Sequence, residues 1–135
     1  MKILVCGSRY WKDSKRIDDI LSRVIFQVYH DNETTILEGG ARGADRMAYL
    51  WAKENGIECI EFPADWKKYG LAAGPIRNRQ MLDEKPDMVL AFHNSINTSK
   101  GTLDTLKEAN KRGIPANIVT RDSVYQYFSV PRQGN

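Results

Sequence analysis

The chain has 135 residues, 41% of them hydrophobic and 27% charged, with a formal net charge of +3. That is one domain's length, enough to bury roughly two thirds of the unfolded surface without disulfide or metal staples. No apolar run approaches the ~20 residues of a bilayer span, Met1 to Cys6 is too short for a signal peptide, and the mild charge does not make nucleic acid the default partner. A cytoplasmic globular protein is expected.

In chain order, Lys2 to Cys6 is a short continuous apolar run, which predicts a strand buried on both faces. Asp13 or Ser14 caps a helix with Ile17, Ile20, Leu21, Val24 and Val28 at helical steps. Thr34 to Glu38 predicts the second strand, and Gly43 to Asn55 a helix that turns Ala44, Met47, Ala48 and Trp51 inward. Ile57 to Phe62 predicts a third strand. Residues 64–73 lack periodicity and read as the longest irregular connection. Gly74-Pro75 opens a helix to Asp83 or Glu84, with proline at the tolerated first turn. Asp87 to Phe92 predicts the fourth strand and Gly101 to Arg112 a helix. Pro115 to Val119 predicts a fifth strand, placed near an edge because proline lacks a donor.

Strands alternating with helices predict an α/β, Rossmann-like open parallel sheet of about five strands with helices on both faces. The domain spans residues 1–119. The tail, 120–135, carries Val124, Tyr125, Tyr127, Phe128 and Val130 before Pro131, and is expected to pack on the core or on a partner subunit.

The stretch Glu38-Gly39-Gly40-Ala41-Arg42-Gly43-Ala44-Asp45 describes a phosphate-sized hole, with close-approaching amides and a helix N-terminus behind them. A tight turn that needs glycine for geometry alone is the competing account. In doubly wound sheets ligands sit beyond the strands' carboxyl ends, where the strand order reverses. With an order of 3-2-1-4-5, Gly7, Ser8 and Arg9, the glycine stretch, and Lys100, Gly101 and Thr102 converge there, joined by Arg77 and Asn78. Arg77 suits a phosphate, whereas Arg42 serves equally as a surface arginine and Arg79 as a solvent-facing one. Ser8 either donates to the ligand or caps its turn. Trp11, Trp66 and Tyr69 offer faces for a base or simply pack. Cys6 and Cys59 look like small buried hydrophobes, and with His30 and His93 they form no zinc pattern, so no metal and no cofactor is expected.

A G-x-G-x-x-G after the first strand, a Walker loop and a G-x-S-x-G elbow are all missing. Instead, Gly7-Ser8-Arg9, Gly39-Gly40-Ala41-Arg42-Gly43-Ala44-Asp45, the run from Gly74 through Arg77-Asn78-Arg79 to Met81, and Lys100-Gly101-Thr102-Leu103-Asp104 resemble, in the same order, the SLOG superfamily. The resemblance is greatest to its small YspA-type members and covers roughly residues 2–119. The superfamily also holds the LOG phosphoribohydrolases and the DNA-processing protein A core. The resemblance implies a Rossmann-like domain that binds a nucleotide-derived small molecule, frequently as a homo-oligomer.

Hydrolases of that superfamily carry a glutamate three residues past the threonine, and here Thr105 stands in its place. Asp104, one residue earlier, is the nearby carboxylate, and a helix turns neighbours about 100° apart. Binding is therefore expected over catalysis. If the protein is a nucleotide N-glycosidase, Glu38, Asp45 and Asp104 are the candidate catalytic residues. Single-stranded DNA binding, through Lys12, Lys15, Arg16, Lys67, Lys68, Arg77 and Arg79, is a further alternative and not the favoured one.

Overall fold

The computed structural model describes residues 1–128. A six-stranded sheet runs in the order β3-β2-β1-β4-β5-β6. β1 (Lys2–Gly7), β2 (Thr35–Glu38), β3 (Glu58–Glu61), β4 (Met88–Phe92) and β5 (Ala116–Val119) are parallel. β6 (Val124–Gln126) pairs antiparallel with β5. The helices are α1 (Ser14–Ser22), α2 (Ala44–Glu54), α3 (Trp66–Tyr69), α4 (Ala73–Asp83) and α5 (Lys100–Lys111).

The pleat sends alternate residues of the central strands to opposite layers. Ile3 and Val5 of β1, with Leu90 and Phe92 of β4, pack on Ile17, Ile20, Leu21, Ala48 and Trp51 of α1 and α2. Leu4, Cys6, Val89 and Ala91 face Met81, Leu82, Leu106 and Ala109 of α4 and α5. Two cores, one on each face, explain why β1 and β4 are apolar at nearly every position.

The structure departs from the sequence expectation in four places. After Ser22 the first helix widens into a π-helical stretch, Arg23–Val28. The extra residue per turn rotates the apolar stripe, so Ile25 is buried while Val28 is 58% exposed. Residues 66–72 are not irregular but form α3, capped by the Asp65 carboxylate on the Lys68 N–H, followed by a short 3-10 turn. Pro115 precedes β5 rather than lying within it, and β5 is an interior strand because the segment read as tail supplies β6. β6 is tied back by Arg16, which donates to the Thr120 and Ser123 carbonyls at 3.1 and 3.2 Å. Val130 and Pro131 lie outside the described residues.

At the carboxyl end of the sheet the Ser8 carbonyl accepts the Trp11 and Ala44 N–H groups at 3.2 and 3.1 Å. This joins the β1 loop to the start of α2. Gly43 makes the join possible: its φ is +77°, and a Cβ there would overlap the Ser8 and Arg9 carbonyls. Gly43→Ala is therefore expected to lower stability by at least about 2 kcal/mol, through strain and displacement of the Ser8 loop. Urea unfolding checks this, and a variant as stable as wild type refutes the steric account.

Candidate functional site

The switch point between β1 and β4 opens into a cleft of about 400 Å³. Its walls are Cys6 and Gly7 of β1 with Ser8 to Tyr10 after it, Ala41 and Asp45 at α2, Arg77, Asn78 and Met81 of α4, His93 after β4, and residues 98–102 with Thr105 at α5. Of the residues expected from sequence, the cleft gathers Gly7, Ser8, Arg9, Asp45, Arg77, Asn78, Lys100, Gly101 and Thr102. Gly39, Gly40, Arg42, Gly43, Glu38 and Asp104 are not among its lining residues.

The glycine turn differs from the expected anion hole because its amides already hold anions, and these are the chain's own. Asp45 Oδ2 accepts the Gly39 and Ala41 N–H groups at 3.1 and 3.3 Å, and Glu38 Oε1 accepts the Gly40 N–H at 2.6 Å. The Ala44 and Arg46 amides at the start of α2 go to the Ser8 and Ala41 carbonyls. The Gly39, Gly40 and Ala41 amides of the turn are thus satisfied from within.

Arg77 locks this arrangement from the α4 side. One terminal guanidinium nitrogen donates to the Gly39 carbonyl at 2.6 Å, and Nε donates to Asn78 Oδ1 at 3.0 Å. Asn78, 4% exposed, passes the connection on through Nδ2 to Asp104 at 3.1 Å and the Gly101 carbonyl at 3.4 Å. Arg79 is not merely solvent-facing: it bridges α4 to Asp104 and Glu108 of α5 at 3.2 and 3.4 Å. Asp104 is therefore occupied by Asn78 and Arg79, and Thr105 takes the cleft-facing position, as the helical turn per residue requires.

Two carboxylates beneath the turn are electrostatically unusual. Burial pushes Glu38 up to about 7, with the charges of Asp45 and Glu61 adding to the rise and the Gly40 amide and Arg77 opposing it. Burial likewise pushes Asp45 up to about 6, against the Ala41 and Gly39 amides and Arg77. Glu38 is 1% exposed and its Oε2 has no hydrogen-bond partner. Of the pair, Asp45 lines the cleft and Glu38 does not.

Among the aromatics, Trp11 is 4% exposed and packs edge-on against Phe92 with ring centroids 5.6 Å apart, so it offers no face to a ligand. Trp66 and Tyr69 are outside the cleft, and Tyr10, 74% exposed, stands at its mouth. Ser8 Oγ accepts the Tyr10 N–H at 3.0 Å, which is the turn-capping role. His93 lines the cleft although no sequence motif includes it. Its signal was positional: it is the first residue beyond the carboxyl end of β4, beside the reversal of strand order.

A folded-state carboxyl held above its unfolded value binds its proton more tightly when folded. Its stabilising contribution is present below about pH 4.5 and is lost as pH rises through about 7. Glu38→Gln is expected to remove on the order of 3 kcal/mol of this decline, leaving the part due to Asp45. Chemical unfolding across that pH range reads the difference, and identical slopes for variant and wild type would overturn it.

Comparison with known proteins places this geometry. Residues 1–69 match the family described as YAcAr: YspA, cpYpsA-related SLOG family. That stretch runs from β1 through α3 and contains the β1 loop and the closed glycine turn, but not α4 or α5. The Gene 61 protein of Mycobacterium phage D29 is 35% identical over 119 residues, which cover 84% of this chain and 92% of that relative. The X-ray structure of DNA processing protein A (DprA) from Streptococcus pneumoniae has the same fold, with a TM-score of 0.64 at 20% identity. The match covers 88% of this chain and 49% of that one, so the present chain spans about half the length of that protein. The chain belongs to the YspA, cpYpsA-related SLOG family.

Proposed function

We propose that the cleft binds a nucleotide-derived small molecule through its phosphate, and that the protein senses, carries or sequesters that ligand. The observation that carries this reading is the start of α5. The Lys100 and Gly101 N–H groups donate to nothing among the described residues, and they open a twelve-residue helix whose positive dipole end borders the cleft. Glycine there has no packing reason, because a Cβ on Gly101 would meet no atom within 4 Å. Glycine in a helix is unfavourable relative to alanine, so an unobstructed glycine at this point suits the close approach of a ligand. Arg9, Arg77 and Lys100 give the cleft positive charge, and Tyr10 offers a ring face to a base.

Family membership agrees with a nucleotide-related ligand in general terms. A hydrolytic role is less well supported, since Asp104 is tied to Asn78 and Arg79 and Thr105 faces the cleft. The exposed Val124 and Tyr125 of β6, with Phe128 just after it, support self-association along that edge. A second reading, single-stranded DNA binding, draws on Trp66 and Leu71, 58% and 94% exposed, flanking Lys67 and Lys68. The kinship of fold with a protein named for DNA processing agrees with it.

Gly101→Ala separates ligand contact from stability. The variant is expected to be more stable by about 0.5 kcal/mol in thermal unfolding. Its affinity for nucleoside monophosphates or ADP-ribose in equilibrium dialysis is expected to fall about tenfold or more. Unchanged affinity would remove the start of α5 from the site. For the DNA reading, fluorescence anisotropy of a labelled oligonucleotide is expected to show affinity falling steeply with salt; a flat response counts against it.

A further inference from the structure

His93 is 9% exposed, lines the cleft, and has Nδ1 accepting the Ser95 N–H at 2.9 Å. A backbone N–H cannot point at a protonated nitrogen, so Nδ1 holds the lone pair and the ring proton resides on Nε2. Nε2–H donates to nothing among the described residues and is not among the sealed polar atoms, so it reaches the cleft. A donor oriented by the Ser95 contact and open to the cleft, with no protein acceptor among the described residues, is available to a ligand acceptor.

We propose that His93 is a ligand-binding residue that stays neutral and donates Nε2–H to a phosphoryl oxygen of the anion at the start of α5; this rests on the anion-site reading above. Protonating Nδ1 would set two N–H groups face to face across the Ser95 contact. Burial independently lowers the affinity of the ring for a second proton. The charged groups that share the cleft with the ring are Arg9 after β1, Arg77 of α4, Lys100 of α5 and Asp45 of α2. Arg121, in the β5–β6 turn, bonds through its backbone N–H to Asn94 next to His93. A neutral donor adds a directed hydrogen bond where positive charge is already supplied.

The test titrates inorganic phosphate and adenosine 5′-monophosphate into wild type, His93→Gln and His93→Leu from about pH 5.5 to 8, alongside ¹⁵N NMR of the imidazole. Glutamine keeps an N–H donor near the Nε2 position without a titratable proton. The Leu variant is expected to bind about tenfold more weakly, the Gln variant within about threefold of wild type. Wild-type and Gln affinities are expected to run parallel with pH, because Asp45 and Glu38 titrate in both. The NMR shifts should show the Nε2–H tautomer in the free protein. Undiminished binding by Leu, wild-type affinity falling relative to Gln as pH rises through about 6.5, or an Nδ1–H tautomer overturns the proposal. If wild type binds neither probe, the anion-site reading fails and takes this inference with it. If wild type binds and Gly101→Ala weakens it while His93→Leu does not, only the role of His93 falls.

Discussion

Everything at the carboxyl end of the sheet depends on how the amides of the β2–α2 turn are satisfied. Three consecutive N–H groups, those of Gly39, Gly40 and Ala41, converge on two side-chain carboxylates. Leaving such groups unpaired in a buried turn costs free energy comparable to a lost hydrogen bond each. Once Asp45 and Glu38 fill the turn, their own burial has to be offset. Arg77 does so by lying against the same turn and gripping the Gly39 carbonyl. α4 is thereby fixed relative to β2, and through Asn78 and Asp104 so is the start of α5. The cleft is the space left between parts that this single network holds apart.

The network also bears on where the proposed ligand would bind. A glycine-rich strand-to-helix turn ordinarily offers its amides to a phosphate, but here the Ala44 and Arg46 N–H groups at the start of α2 donate to the Ser8 and Ala41 carbonyls. The helix after β4 keeps its first-turn amides available, and Ser99 Oγ caps the Thr102 N–H without closing the end. Under the proposed reading, the two halves of the sheet divide the work, one for rigidity and one for recognition.

Sequence made the sheet legible because β1 and β4 are buried on both faces, and only a central parallel strand reads as an unbroken apolar run such as Ile3 to Cys6 or Val89 to Phe92. β6 was harder, since Val124, Tyr125 and Gln126 are all exposed and alternate with nothing. The π-helical stretch was invisible because Val28 fits the helical spacing as well as Ile25 does until the turn is known to widen. At the site, residue types were readable and partners were not. The acids beside the glycines in sequence gave no indication that they bind the turn's own amides. His93 stayed hidden because a lone histidine carries no pattern, and its meaning comes from β4 ending where it does.

The position of β1 has a consequence for how the protein comes into being. β1 precedes the other described strands in the chain yet occupies the middle of the sheet, and its hydrogen-bonded neighbour on one side, β4, begins only at Met88. Until that stretch is made, one flank of the most apolar strand has no partner, so the nascent chain carries an open parallel edge through most of its synthesis. Contacts of such long sequence separation form late and leave aggregation-prone surface exposed meanwhile. Arg16 extends the dependence further, since the carbonyls it grips belong to Thr120 and Ser123. The elements before β2 thus draw their last partners from residues more than 80 positions further along the chain.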